Sequence, residues 1–158
     1  MNCICDPLFT YFRWCDLNSL SLNEIKSETG VYAIRYDSKG IDIDLTIQKT
    51  KNFFNQAQWG SLNDYVYNRL DRLKSIVDCP ILYIGSAPSI DAGGLKSRYR
   101  DLCGRRHTIF YPVLALLTAG WNLQWGFNKT DRPKMMEKEL VDSYREIHGV
   151  YPALLRRA

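Results

Sequence analysis

A glutamate on the last predicted helix occupies a position where a carboxylate needs a partner. The apolar residues of this helix, predicted over Pro133–His148, recur at helical spacing: Met136, Leu140, Val141, Tyr144 and Ile147. At about 100° per residue, Glu137 falls inside the apolar stripe, whereas Glu139 and Asp142 point away from it. Because burial of an unpartnered carboxylate is costly, Glu137 is a candidate metal ligand. The alternative is a salt bridge to a basic neighbour.

An arginine on an earlier predicted helix shows the same pattern. The apolar face of this helix, predicted over Leu95–Cys103, consists of Leu95, Tyr99 and Leu102. Arg98 borders that face, whereas Arg100 points elsewhere. A guanidinium held beside an apolar wall can bind a phosphate in bidentate fashion. The alternative is that the Arg98 stem covers apolar surface while its charged end reaches solvent.

Two tyrosines on predicted strands are the remaining candidates for chemistry. Gly30 lies two residues before Tyr32, and Gly85 lies two residues after Tyr83. Glycine on a strand allows another backbone or a ligand to approach closely. A strand tyrosine taken alone is more often part of a core or its rim.

Several strands must position these tyrosines. Val31–Tyr36 and Ile81–Gly85 are short runs rich in β-forming residues and bounded by breakers. Apolar and polar residues alternate over 41–47, which predicts a half-buried strand antiparallel to the first. The same alternation over Trp121–Trp125 predicts another strand, whose tryptophans are expected in the core.

Helices are predicted between and after these strands. A helix begins at Ser61 and its apolar spacing continues to Val77, and another covers Ile109–Ala119. The elements together predict a domain of the broad α/β class, of α+β type. Its small central sheet, antiparallel or mixed, has three or more strands and is flanked by helices. The length of 158 residues predicts a single domain, 1–158.

Basic residues cluster around the arginine helix. The net charge of +4 is a weak indication of an anionic partner, but the distribution is more informative. Candidate nucleic-acid contacts follow one another closely: Lys96, Arg100, Arg105, Arg106 and His107. A solvated helix face is the alternative explanation.

The cysteines and histidines form no recognisable zinc pattern in the sequence. No pair of the five cysteines has C-x-x-C spacing, and neither His107 nor His148 belongs to a zinc-like array. We therefore expect free thiols in a cytoplasmic protein, with a metal site at Cys3 and Cys5 a remote alternative. No apolar run approaches the ~18 residues of a membrane span.

Four short motifs, in order, resemble the GIY-YIG endonuclease family. They are Gly30-Val31-Tyr32, Tyr83-Ile84-Gly85, Leu95-x-x-Arg98 and Glu137-x-x-Leu140-Val141. The resemblance extends from about Gly30 to the C-terminus, after an N-terminal arm at 1–28 and with an insertion at 37–79 that holds the extra strand and helix. It implies a GIY-YIG-like fold and a DNA endonuclease dependent on Mg²⁺ or Mn²⁺.

The resemblance also implies roles for the four motif residues. Glu137 would hold a single metal ion, and Arg98 would offset charge on the scissile phosphate. Tyr32 would accept the proton of the attacking water and Tyr83 would orient that water, although either tyrosine is a candidate base. Double-strand cleavage would require a homodimer or two visits by one site, and the oligomeric state is left open.

Two positions depart from the family pattern and leave an alternative open. The family often has His or Tyr one turn after the arginine, where this chain has Leu102, and His107 is the candidate substitute. The family commonly ends its core with an asparagine, where this chain has Leu155. The alternative functions are a catalytically inactive nucleic-acid-binding module of the same fold and a purely structural or interaction domain.

Overall fold

Four antiparallel strands form the sheet that carries both tyrosines. The computed structural model describes residues 3–17, 24–37, 41–57, 61–75, 79–104 and 106–155. The strands are β1 (Arg13–Asp16), β2 (Gly30–Tyr36), β3 (Ile81–Ala87) and β4 (Leu123–Lys129). Their order is β1-β4-β2-β3, which makes β3 an edge strand. The prediction of an α+β domain with a small antiparallel sheet is confirmed.

Five α-helices flank this sheet in the described part of the chain. They are α1 (Ile43–Ala57), α2 (Ser61–Asp71), α3 (Gly94–Cys103), α4 (Phe110–Thr118) and α5 (Pro133–His148). Short 3₁₀ turns cover Asp6–Phe9 and Arg72–Ser75. α3 and α5 both pack against β2 and β3, whereas α1, α2 and α4 contact one another. The helices predicted at the positions of α3, α4 and α5 are confirmed within one residue at each end.

The strand predicted over 41–47 is wrong, because this segment enters α1. The Asp42 carboxylate accepts a hydrogen bond from the backbone N–H of Leu45 at 3.0 Å, as an N-cap does. Ile47 is only 3% exposed, but Leu45 is 46% exposed, so the apolar residues do not share one face. Alternation over so few residues also fits helical i, i+4 spacing. The segment 37–79 thus contains two helices and no strand among its described residues.

The remaining boundary predictions need smaller changes. The helix predicted from Ser61 to Val77 ends earlier, with α2 followed by a 3₁₀ turn, and residues 76–78 lie outside the described part. β4 begins at Leu123 instead of Trp121 and extends further than predicted. Trp121 and Trp125 are both buried, as expected of core residues. The N-terminal arm contributes β1, which pairs with β4.

The pairing of β2 with β3 brings the two tyrosine motifs side by side. Tyr32 lies opposite Gly85, and Ile34 lies opposite Tyr83. A Cβ atom added to Gly85 would lie 2.7 Å from both Cζ and the hydroxyl oxygen of Tyr32. Gly85 is therefore needed because the Tyr32 side chain lies directly over its backbone.

A cysteine and histidine cluster joins the N-terminal arm to the C-terminal end of α5. Its members are Cys3, Cys5, Cys79 and His148. The expectation that His148 belongs to no zinc-like array depends on spacing in the sequence. Spacing does not reveal this cluster, because His148 is distant along the chain from the three cysteines.

Among the described residues, none of the helices combines the length and apolar character needed to cross a bilayer.

Candidate active site

A cleft of about 210 Å³ lies beside the edge strand β3. Its lining includes all four predicted catalytic residues: Tyr32, Tyr83, Arg98 and Glu137. They come from four different elements, β2, β3, α3 and α5. The lining also includes Arg106, His107 and Lys134, so basic side chains surround the cleft. Two phenols, a carboxylate and several cations thus face one shared volume.

His107 contacts the first tyrosine directly. Its Nε2 lies 2.6 Å from the Tyr32 hydroxyl, and its Nδ1 accepts a hydrogen bond from the backbone N–H of Ile109 at 3.2 Å. Burial, together with the smaller effect of the Arg98 charge, lowers the pKa of His107 to about 4. The imidazole is therefore neutral near pH 7. With Nδ1 acting as acceptor, the proton resides on Nε2, and His107 donates to Tyr32.

The loop after α3 determines this position of His107. Gly104 follows the last turn of α3, and the backbone carbonyl of Asp101 accepts hydrogen bonds from the N–H groups of both Arg106 and His107, at 3.0 and 3.1 Å. These bonds turn the chain back over the end of the helix. The imidazole therefore reaches the cleft from a loop instead of from the helical turn after Arg98.

The two tyrosines differ in burial and in their effect on each other. Their ring centroids lie 5.9 Å apart, and Tyr32 is only 2% exposed, whereas Tyr83 is half-buried. Burial raises the pKa of both phenols. Interaction with the Tyr32 hydroxyl lowers the pKa of Tyr83, while interaction with Tyr83 raises the pKa of Tyr32. Of the two, Tyr83 is therefore the phenol that its neighbour helps to ionise.

Glu137 is held between a hydroxyl and an ammonium group. Ser86 Oγ donates a hydrogen bond to Glu137 Oε2. Lys134 Nζ lies 3.9 Å from the same oxygen, but the Lys134 side chain is 71% exposed, so this ion pair contributes little. The Glu137 side chain is 13% exposed, whereas Glu139 is exposed on the outer surface. The carboxylate thus has both a salt-bridge partner and an adjacent oxygen donor.

Ser86 belongs to the site, although the sequence alone does not indicate it. It follows the glycine of the second tyrosine motif, and it is 6% exposed on β3. A single serine on a predicted strand does not by itself indicate a functional site. Only the packing of α5 against β3 shows that its hydroxyl meets Glu137.

Arg98 is half-buried on α3 and acts electrostatically on the whole cleft. Its charge lowers the pKa of Tyr32, Tyr83 and His107, although burial is the larger influence on each. An arginine that acts on three titratable groups lies close enough to stabilise an anion in the same volume.

The predicted nucleic-acid contacts divide into three groups. Arg106 and His107 line the cleft, and Arg106 is exposed at its rim. Lys96 and Arg100 lie on α3 but outside the lining of the cleft, Lys96 half-buried and Arg100 exposed. Arg105 lies outside the described residues.

The two leucines that depart from the family pattern belong to the core. Leu102 is 2% exposed on α3, and Leu155 is 6% exposed near the C-terminus. The Leu154 N–H donates to the Leu82 carbonyl at 2.9 Å, so this terminal segment lies beside β3. Neither leucine lines the cleft.

Comparison with known proteins identifies no matching family model, no similar curated protein and no similar solved structure.

Proposed function

We propose that this protein is a metal-dependent endonuclease that hydrolyses phosphodiester bonds in DNA, with a fold and site of the GIY-YIG type. The observation that carries the proposal is the presence of Tyr32, Tyr83, Arg98 and Glu137 in one cleft. Four elements contribute one residue each, in the order that the resemblance requires. A chance arrangement of core residues gives no reason for two phenols, a guanidinium and a carboxylate to share a surface cleft.

The oxygen donors in the cleft fit a hard divalent cation. Glu137 supplies a carboxylate, and Ser86 supplies a hydroxyl that already contacts it. Mg²⁺ and Mn²⁺ prefer such oxygen ligands, and Mg²⁺ commonly keeps several waters. When bound there, the ion would stabilise negative charge on the phosphate and on the leaving oxygen.

Arg98 and Tyr83 perform the remaining functions in this proposal. The Arg98 guanidinium offsets charge that develops on the scissile phosphate. Tyr83 accepts the proton of the attacking water, because it is more accessible than Tyr32 and the Tyr32 hydroxyl favours its ionised form. Tyr32, which accepts a hydrogen bond from His107, is the positioning residue for Tyr83. This assignment reverses the roles first expected of the two tyrosines.

A plasmid-nicking assay tests the proposal. Supercoiled DNA is incubated with the protein and Mg²⁺, and Mn²⁺ is tried in parallel. We expect nicking by the wild type and a loss of at least about 10³-fold in Glu137→Gln, because the proposed metal would lose its only carboxylate. Glu139→Gln is the matched control, since Glu139 is exposed on the same helix. Equal nicking by wild type and Glu137→Gln would exclude Glu137 from the mechanism.

One observation favours a second function, that of an inactive DNA-binding module. The Glu137 carboxylate already has Ser86 and Lys134 as partners, which would also make it stable in a site without a metal. This function predicts salt-dependent DNA binding with no cleavage in either metal. It also predicts that Glu137→Gln leaves DNA affinity unchanged.

A further inference from the structure

Three thiols and one imidazole converge outside the cleft that holds the proposed nuclease residues. Cys3 and Cys5 belong to the N-terminal arm, Cys79 lies just before β3, and His148 is the last residue of α5. Their ligand atoms all lie within 4.8 Å of one another. Cys5 and Cys79 are buried, whereas Cys3 and His148 are half-buried. The cluster is therefore enclosed on one side and accessible on the other.

The separations suit four ligands around one ion. Cys5 Sγ lies 3.3 Å from Cys3 Sγ and 3.4 Å from Cys79 Sγ. Cys3 Sγ lies 3.5 Å from His148 Nε2. In a tetrahedral zinc site, bonds of about 2.3 Å to sulfur and about 2.0 Å to nitrogen place the ligand atoms roughly 3.5–3.8 Å apart. Small movements of the side chains would complete that geometry.

The local backbone prepares the two N-terminal thiols. The N–H of Cys3 donates to the Asp6 carboxylate at 3.0 Å, and the N–H of Leu8 donates to the Cys5 carbonyl at 3.0 Å. This turn leads into the 3₁₀ segment Asp6–Phe9 and holds both sulfurs on the same side. A preformed ligand pair reduces the ordering that metal binding requires.

Tyr144 packs against the histidine of this cluster. Its ring lies on His148, with centroids 4.5 Å apart and an angle of 43° between the ring planes, and the Tyr144 side chain is fully buried. An outer contact of this kind orients a residue that could bind a metal ion.

We propose that Cys3, Cys5, Cys79 and His148 bind a structural zinc ion. Three thiolates and one imidazole form a closed Cys₃His set, which is the donor chemistry of structural zinc and not of Mg²⁺. The ion would join the N-terminal arm to the end of α5 and to the start of β3. Since the arm provides β1, zinc would stabilise one edge of the sheet. The proposal is independent of the nuclease function, because none of the four residues lines the cleft.

The first test is metal analysis of the full chain after purification under reducing conditions without chelator. We expect zinc in equimolar amount with the protein. Cys5→Ser and His148→Ala should lose nearly all of it, whereas Cys103→Ser should keep it, because Cys103 is an exposed cysteine outside the cluster. Retention of zinc by Cys5→Ser or His148→Ala at the wild-type level would overturn the proposal.

A second measurement uses only the wild-type chain, because the variants are expected to be less stable. The metal is removed with a chelator and Co²⁺ is added. The expected result is the visible absorption of tetrahedral cobalt together with a thiolate-to-cobalt charge-transfer band, both abolished by stoichiometric Zn²⁺. Thermal unfolding should also shift to a lower temperature on metal removal and recover with Zn²⁺. A reduced, folded protein that gives no cobalt spectrum contradicts the proposal. So does a Cys5–Cys79 disulfide, in place of bound zinc, in protein purified under reducing conditions.

Discussion

The hydroxyl of Tyr32 lies 2.6 Å from Nε2 of His107, and the other ring nitrogen accepts the N–H of Ile109. The backbone therefore selects the tautomer, and the imidazole acts as a donor to the phenol. A buried tyrosine that accepts this bond is held in one orientation. Its own proton can then be directed toward Tyr83, which lies further toward the opening of the cleft.

Two substitutions of His107 distinguish the effect of its hydrogen bond from the effect of its ring. His107→Gln retains an N–H donor at about the position of Nε2, whereas His107→Ala removes it. If the protein is a nuclease, we expect His107→Ala to lower the nicking rate by about 10²-fold, because Tyr32 no longer positions Tyr83. His107→Gln should recover at least part of that loss.

The measurement is the single-turnover rate at saturating protein, so that DNA affinity does not contribute. Circular dichroism of both variants checks that the fold is retained. Equal rates for the alanine and glutamine variants would show that an N–H donor at position 107 does not affect DNA nicking.

The two phenols should differ in the pH dependence of cleavage. Burial raises the pKa of Tyr83, so its phenolate fraction is small near neutral pH and grows as pH rises. If Tyr83 is the base, the rate should increase by up to about tenfold per pH unit through the neutral range. Tyr83→Phe should abolish most of the activity and remove this dependence.

Tyr32→Phe provides the comparison for this prediction. It removes the hydroxyl that lowers the pKa of Tyr83, so that pKa should increase. The cleavage rate should then be lower at each pH but should still increase with pH. The readout is the pH profile of the single-turnover rate for the three proteins. A profile that is flat in Tyr32→Phe and unchanged in Tyr83→Phe would assign the base to Tyr32.

The burial of His107 also predicts a pH dependence of folding stability. Its folded pKa of about 4 is below the unfolded value of 6.5, so the unfolded chain binds a proton more readily than the folded chain does. No stability is lost above about pH 6.5, and loss accumulates as pH falls from 6.5 toward 4. The contribution of His107 lowers the free energy of unfolding by about 2 kcal/mol between pH 7 and pH 5.

His107→Gln isolates this contribution because glutamine does not titrate. Urea unfolding at both pH values gives the free energy of unfolding of each protein. The wild type should lose about 2 kcal/mol more than the variant between pH 7 and pH 5. Equal losses would mean that His107 is not kept neutral by its burial.

The sequence predicts the elements around the site better than it predicts their contacts. The helix-face arguments for Glu137 and Arg98 depend only on local periodicity, and the structure places both side chains at the cleft. The strand predicted over 41–47 is wrong because its four alternating apolar residues fit both a strand period and a helix period. The Asp42 carboxylate caps a helix there. Periodicity is therefore most reliable over the long helix α5.

Contacts between distant segments are what local patterns miss. Ser86 meets Glu137 only because α5 packs on β3, and His107 reaches Tyr32 only because Asp101 turns the loop back. The cluster of three cysteines with His148 draws its members from both ends and the middle of the chain, so no spacing rule reveals it. Each of these arrangements depends on tertiary packing.

Arg106 should contribute to DNA affinity in a salt-dependent way. It is exposed at the rim of the cleft, where an approaching phosphate backbone would meet it. A lysine or arginine that neutralises one phosphate releases about one counterion, so Arg106→Ala should lower the salt slope of DNA binding by about 1. Affinity should fall severalfold at low salt, without a change in the sequence preference of binding.

Lys49→Ala is the matched control, because Lys49 is exposed on α1 and does not line the cleft. Fluorescence anisotropy with labelled duplex DNA over a range of salt concentrations gives both slopes. The prediction holds whether the site is catalytic or only binds DNA, since it concerns charge at the rim alone. If the wild type, Arg106→Ala and Lys49→Ala have the same salt slope of DNA binding, the DNA binds to another surface. Binding without salt dependence would indicate that the basic residues near α3 are a solvated helix face.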